Sequence, residues 1–319
     1  MFNNAINSRM KQSSSHLLMI EPVSFRYNEE TAKNNYYQKH LKTFSLSEVQ
    51  MNALNEFNAF VKILEQNGVN VHVIQDTIDP DTPDSIFPNN WVSFHQDGRV
   101  ALYPMCAENR RTERRPDILE KLRKKGFEIS SVVDFSGYES EQLFLEGTGS
   151  MILDRQNKIC YAALSIRTDA GVAQEFCKEF GYDLVCFTAN QTHNDERLPI
   201  YHTNVMMCIA DRYAIVCMDT IDNENERKMI ETYIKKSGKE LIEISEEQKE
   251  RFAGNMLQVE GNQTFLVMSS SAYNSLTKDQ IQKIEAFNPI IHSDLNTIEA
   301  CGGGSARCMM AEVFLPKQI

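Results

Sequence analysis

Five short segments of this chain share one shape: a turn of small or amide-bearing residues that runs straight into an apolar strand. They are Pro88–Phe94 (PNNWVSF), Gly147–Leu153 (GTGSMIL), His202–Ile209 (HTNVMMCI), Ala253–Val259 (AGNMLQV) and Gly304–Val313 (GSARCMMAEV). Consecutive segments lie about fifty to sixty residues apart, room for a strand–strand–helix–strand unit each. Most are followed by a turn and a second strand, as in GSMILDRQNKICYAAL and VMMCIADRYAIVCM. Polar turns before strands are common, but each of these also stands in the same place relative to a following helix. A true repeat of this kind closes the chain into a ring of similar modules. The five turns then point toward one axis, where residues far apart in sequence assemble a buried polar site.

Strands are predicted at Leu17–Ile20, Val69–Ile74, Val100–Tyr103, Met151–Leu153, Ile159–Ala162, Leu184–Phe187, Val205–Ala210, Tyr213–Met218, Met256–Val259 and Thr264–Met268. Helices are predicted at Ser47–Asn67, Arg114–Lys125, Ala170–Phe180, Glu224–Ser237 and Thr277–Ala286. In the first helix Val49, Leu54, Phe57, Phe60, Val61 and Leu64 recur mostly at steps of three or four. Ser47 is its expected N-cap and Gly68 its closing glycine. Strands alternating with helices indicate an α/β fold. A flexible lead-in over residues 1–16 and a single domain over 17–319 are expected.

Lys+Arg total 33 against 44 Asp+Glu, a net charge of −11. That argues against a nucleic-acid partner, which needs a basic face to displace phosphate counterions, and against an anionic membrane partner. A basic pocket inside an acidic shell still admits a small anionic substrate. No apolar run reaches the length of a membrane span, and the polar start MFNNAINSRMKQSSSH lacks the apolar region of a signal peptide. The eight cysteines form no CxxC pair, and several sit in apolar runs, so buried thiols and a cytoplasmic setting are expected.

The turns carry a chemically pointed set. The first has Asp84 with Asn89 and Asn90, the second Glu146, the third His202 and Asn204, the fourth Asn255, and the last Cys308 after Gly302–Gly303–Gly304. Cysteine, histidine and an acid are the parts of a thiol nucleophile, its proton handler and an orienting carboxylate. Each alone has a bland reading as a core or surface residue. Their joint placement on equivalent turns does not.

With these residues the sequence resembles the guanidino-group-modifying enzymes of the pentein fold, a five-bladed α/β propeller of ββαβ-type repeats. Relatives in that superfamily include arginine deiminases, dimethylarginine dimethylaminohydrolases and glycine amidinotransferases. The resemblance looks closest to the arginine-deiminase-related subgroup described as citrulline-utilisation hydrolases, and it spans nearly the whole chain. PDSIFPNN is similar to the P-D-x-x-F-x-E/R-D segment of that family, LEGTGSM to its D/E-G-G-D turn and LSIRT to its L-S-x-R-T element. NRRTE is similar to S-R-R-x-E, HTN to H-x-K/D, and the late glycine-rich cysteine to the nucleophile.

The resemblance implies Cys308 as nucleophile, His202 as general acid/base and Glu146 on the side of the pocket shared by His202 and the reacting group. It implies Asp84 on a terminal nitrogen, with Asn89, Asn90 and Asn204 among the substrate contacts. Arg167 with Arg110 would clamp an α-carboxylate through the bidentate guanidinium fork. A protonated His202 and an inward-turned Arg307 would favour the thiolate. The expected substrate is a small-molecule amino acid, with no cofactor, no metal and a possible homo-oligomer. Four features depart from the family. Asn90 stands where an acid is usual, Asn204 where one is frequent, Gly147–Thr148 replaces the double glycine of the second turn, and Ser150 its closing aspartate. Amides offer donors and acceptors to a neutral planar group, which shifts preference toward a ureido head such as that of citrulline. Amidino transfer to an amine is an alternative. So is a non-catalytic role, since the fold also occurs in a ribosome anti-association factor.

Overall fold

The computed structural model describes residues 10–318. Five three-stranded sheets share one topology. In chain order the second comprises Val92–Phe94, Arg99–Leu102 and Ser131–Asp134. The third comprises Ile152–Asp154, Ile159–Ala163 and Asp183–Phe187. The fourth comprises Met207–Ile209, Tyr213–Val216 and Glu240–Glu243. The fifth comprises Leu257–Glu260, Thr264–Ser269 and Ile290–Ser293. In each, the first strand pairs antiparallel with the second and the second parallel with the third.

A parallel pair needs a crossover, and helices supply it in every module: Leu46–Gln66, Pro116–Lys124, Ala170–Phe180, Glu224–Lys236, and the pair Ser270–Ser275 and Lys278–Glu285. The first sheet joins the chain's two ends. His16–Glu21 runs parallel to Asn70–Gln75 and takes Ala311–Glu312 as its antiparallel partner, with Leu17 opposite Glu312. The repeat read from the turns is therefore present as a ββαβ unit, and the late glycine-rich segment opens the module that the N-terminal strand completes.

The first strand of each sheet is almost wholly buried, and these strands pack on one another: Met207–Ile209 against both Ile152–Asp154 and Leu257–Glu260, and Ala311–Glu312 against Val92–Phe94. The turns before them consequently meet. Residues 147–150 touch both 88–90 and 203–205.

Some boundaries differ from expectation. The first helix begins one residue earlier and is capped by Ser45, not Ser47. The Ser45 hydroxyl accepts from Glu48 N–H at 3.3 Å and the Glu48 carboxylate accepts from Ser45 N–H at 2.7 Å, a reciprocal capping box. Gly68 closes it at φ +83, where only glycine is unstrained. A hairpin of Asn190–His193 and Glu196–Pro199 lies between the third and fourth modules; its polar residues gave no strand signal. Residues 1–9 of the expected lead-in lie outside the described residues, but residues 12–14 are buried rather than frayed. The Gln12 amide donates to Leu153 O (2.9 Å) and Ile209 O (3.2 Å) and accepts from Arg155 N (2.8 Å), tying three segments together. Among the described residues no helix is long and apolar enough to cross a membrane.

Candidate active site

The turns build a cavity of about 260 Å³ lined by Asp84, Asn90, Arg110, Arg167, Tyr201, His202, Gly302–Gly304 and Cys308, with Thr31, Asn35 and Phe87. Close approach demands small residues here. A Cβ on Gly149 would lie 2.5 Å from Asn90 Nδ2 and 2.8 Å from His202 Nδ1. One on Gly304 would lie 2.9 Å from the Phe87 ring and 3.3 Å from Cys308 Cβ.

His202 Nε2 hydrogen-bonds Glu146 Oε2 at 2.7 Å. The same carboxylate receives Cys106 N–H at 3.0 Å and Arg167 Nη1 at 3.3 Å. Burial would raise the Glu146 carboxyl, but Arg167 and the His202 hydrogen bond outweigh it and hold it below the usual carboxylate range. Burial dominates at His202 and lowers its pKa to about 4 against the pull of Glu146. Both shifts favour a carboxylate beside a neutral imidazole, whereas the sequence reading expected an imidazolium. With Nε2–H donating to Glu146, Nδ1 is the nitrogen free to take a proton. Glu146 is fully buried and does not line the cavity. It stands behind His202, bonded to its Nε2.

Two side-chain amides converge on the thiol. Asn204 Nδ2 lies 3.3 Å and Asn255 Nδ2 3.2 Å from Cys308 Sγ. Asn255 is itself fixed, donating to Asn204 O (3.1 Å) and accepting Arg307 N–H (3.0 Å). Sequence reasoning placed Asn255 on the fourth turn without assigning it a role. Its place two residues before the first strand of its sheet, matching that of Asn90, was the available signal. Arg307 is buried, but its guanidinium donates to Met310 O and Glu312 rather than to the sulfur.

Asp84 faces the cavity. Its Oδ2 accepts from Asn28 Nδ2 (2.8 Å) and Thr31 Oγ1 (3.0 Å), and burial raises its carboxyl against the opposing pull of Arg110. Two buried acceptors on these turns have no protein donor among the described residues: Asp84 Oδ1, on a residue that lines the cavity, and Asn204 Oδ1, on a residue that holds the thiol from outside the lining. Leaving a buried acceptor unpaired costs about 1–3 kcal/mol, a cost removed by a ligand rich in N–H groups.

Three expected substrate contacts are otherwise engaged. The Arg110 guanidinium is consumed by protein: Nε and Nη2 meet the two oxygens of Glu113 (2.8 and 2.9 Å), Nη1 meets Asn90 Oδ1 (2.8 Å), and Nη2 also reaches Asp84 O and Phe87 O. It holds the 84–90 turn in shape and is not disposed as a carboxylate clamp. Arg167 binds Glu146, Asn34 Oδ1 and Thr31 O, and stacks at 5.0 Å over the Tyr201 ring. Asn89 is fully buried and off the cavity, its Nδ2 bridging to Thr148 Oγ1 at 3.3 Å. Sequence reading also missed the segment over residues 28–38, which covers the site. There Asn28 and Thr31 hold Asp84, Asn35 Nδ2 meets the carbonyls of Gly302 and Gly303 at 3.3 Å, and Gln38 Nε2 meets Cys301 O at 3.0 Å. It is a polar loop whose role exists only through contacts far along the chain. Among the described residues no group of three or more His, Cys, Asp or Glu side chains forms a metal-binding cluster.

A family model described as N,N dimethylarginine dimethylhydrolase, eukaryotic, matches residues 21–315. No curated protein sequence matches the chain. Among solved structures, the substrate-bound N-terminal domain of ArgZ, an arginine dihydrolase from the ornithine-ammonia cycle in cyanobacteria, superposes with a TM-score of 0.72 at 17% identity, covering 93% of this chain and 97% of that one. Unliganded AgrE gives 0.73 at 17% identity over 95% of this chain, which spans 40% of the AgrE chain. A dimethylarginine dimethylaminohydrolase carrying an S-methyl-L-thiocitrulline adduct gives 0.63 at 16% identity, covering 93% and 98%. These likenesses establish a shared α/β fold.

Proposed function

The chain belongs to the N,N-dimethylarginine dimethylhydrolase family within the guanidino-group-modifying enzymes, and from that membership we propose that it is a cysteine-dependent hydrolase of the C–N bond at a guanidino or ureido carbon of a small amino acid. The five equivalent modules support reading the architecture as a five-bladed propeller. The observation that carries the reading is the pair of unpaired buried acceptors, Asp84 Oδ1 and Asn204 Oδ1, beside a thiol and a Glu146-oriented imidazole.

In this mechanism Asp84 and Asn204 accept N–H groups of the planar head and set its carbon against Cys308 Sγ. His202 Nδ1 takes the thiol proton as sulfur attacks, then gives it to the departing amine. The amide donors of Asn204 and Asn255 stabilise charge on sulfur. Water, deprotonated by His202, releases the adduct. Arg167 lies at the cavity wall as the residue nearest to a carboxylate-binding role, once freed from part of its present bonding.

Both unpaired atoms are acceptors and Asp84 supplies one negative charge, so a monocationic guanidino head fits first. Asn90 and Asn204 in place of acids, with an Asp84 carboxyl raised by burial, favour the ureido head as a second reading. A panel of arginine, methylated arginines, agmatine and citrulline, assayed for ammonia, methylamine and ornithine, separates them. The expected result is turnover of at least one panel member, with arginine-type kcat/KM rising as Asp84 ionises and citrulline turnover showing the opposite trend. Inactivity toward every member ends the proposal. An amidino product on added glycine or ornithine would replace hydrolysis by transfer.

The pH dependence follows from His202. A neutral imidazole is the proton acceptor, so the His202 limb of kcat/KM is expected to rise with pH and level off above about 4, with the Asp84 limb superimposed on it. Glu146→Gln removes the charge that sustains protonation, so it should push the acidic limb lower and reduce kcat by about 10²–10⁴-fold. An unshifted limb with unchanged kcat would deny Glu146 its orienting role.

A further inference from the structure

Cys308 and its neighbour Arg307 face two different cavities. Behind the nucleophile turn lies a cavity of about 320 Å³ walled by Leu153, Ile209, Leu257 and Glu312, residues from the first strands of four sheets, with Gln12 and Arg307. The charges at its wall and directly behind Glu312 do not balance; Arg155 stands in the wall of a neighbouring cavity and reaches this one only through Glu312. Arg307, Arg155 and Glu312 are 5%, 3% and 8% exposed. Arg307 Nη2 is 3.0 Å and Arg155 Nη2 3.6 Å from the same atom, Glu312 Oε2. Two guanidinium groups thus share one carboxylate.

Other acids nearby are already committed. Asp154 is held by Lys239 at 3.5 Å and by Asn157, and Glu260 by Lys11 at 3.1 Å. The Cys208 thiol in the cavity wall is pushed up to about 12 by burial and stays neutral. Residues 1–9 contain no Asp or Glu. Of the five N–H groups of Arg307, protein acceptors among the described residues are Met310 O (2.8 Å) and Glu312. A buried cation without a counter-charge is costly, and proteins pair it or bind an ion.

We propose that this cavity binds a small monovalent inorganic anion of the halide class, held by the unused N–H groups of Arg307 with Arg155 as the second positive charge. Glu312 also lines the cavity, but both guanidinium groups engage its Oε2, so the local sum remains one positive charge. The site is separate from the catalytic cavity and stands independently of the reaction proposed above.

Bromide is the probe. At constant ionic strength, with gluconate as the replacement anion, the melting temperature is expected to rise saturably by roughly 2–6 °C as bromide or chloride is added. A bromide-soaked crystal should show an anomalous peak within hydrogen-bond distance of the Arg307 guanidinium. Arg307→Met should abolish the response. Should that variant fail to fold, Glu312→Gln tests the same charge sum with opposite sign, and should tighten bromide binding about fivefold or more. Absence of both a saturable response and a peak at Arg307 overturns the proposal. So does a halide-independent stability accompanied by a raised alkylation pKa of Cys308 in Arg307→Met, which would make the thiolate the balancing charge.

Discussion

Cys308→Ala is expected to lower kcat by about 10⁴-fold or more while leaving substrate binding within a few-fold. In the proposed mechanism the sulfur forms the covalent bond, and no other thiol lines the cavity. Binding in that mechanism rests elsewhere, on Asp84 and on Asn204 Oδ1, whose unpaired state does not depend on sulfur. Removing Cys308 leaves Asn204 Nδ2 without its acceptor, while Asn255 Nδ2 keeps Asn204 O, so a modest loss of stability accompanies the loss of turnover. Calorimetric titration should therefore report a Kd close to wild type in a protein that no longer releases product. Mass spectrometry of the wild type should find the adduct on the peptide containing Cys308. Cys186→Ala, a half-buried thiol in the third sheet, is the control that keeps full activity. Retained turnover in Cys308→Ala would remove the thiol from the chemistry altogether.

Arg110→Met is expected to destabilise the fold by about 3–5 kcal/mol, a fall in Tm on the order of 10 °C. Arg110 and Glu113 are 2% and 3% exposed and joined by two short bonds. Loss of the guanidinium strands the Glu113 carboxylate in the interior and frees Asn90 Oδ1 and the Asp84 and Phe87 carbonyls. The Asp84–Asn90 turn then loses its shape, so KM should rise in whatever fraction remains folded. Arg110→Met with Glu113→Met removes both charges and should recover about half of the lost stability. Unchanged Tm in the single variant would mean that the pair is not the turn's support. A clamp role for Arg110 predicts instead a raised KM at wild-type Tm.

The repeat made the fold readable. Each turn-and-strand segment marked the start of a module, and the helix positions between Leu46 and Glu285 agreed within a residue or two because apolar spacing is set by the helix itself. The third strands Ser131–Asp134 and Glu240–Glu243 were not legible, being short and largely exposed at alternate or successive positions. The cap at Ser45 was displaced from the expected Ser47 because the reciprocal bond with Glu48, not the serine alone, decides the start.

The sequence by itself determined which chemical groups stand on the turns: a thiol, an imidazole, carboxylates and amides, in a fixed order along equivalent modules. Local pattern suffices for this, because turn composition and strand periodicity are properties of neighbouring residues. Only the tertiary structure decided what each group is free to do. It set Glu146 behind His202, spent Arg110 on Glu113, turned Asn255 onto the sulfur, and left Asp84 Oδ1 and Asn204 Oδ1 open. Burial and hydrogen-bond partnership depend on residues tens to hundreds of positions away, and in a low-dielectric interior those partners decide whether a polar group serves the framework or the ligand.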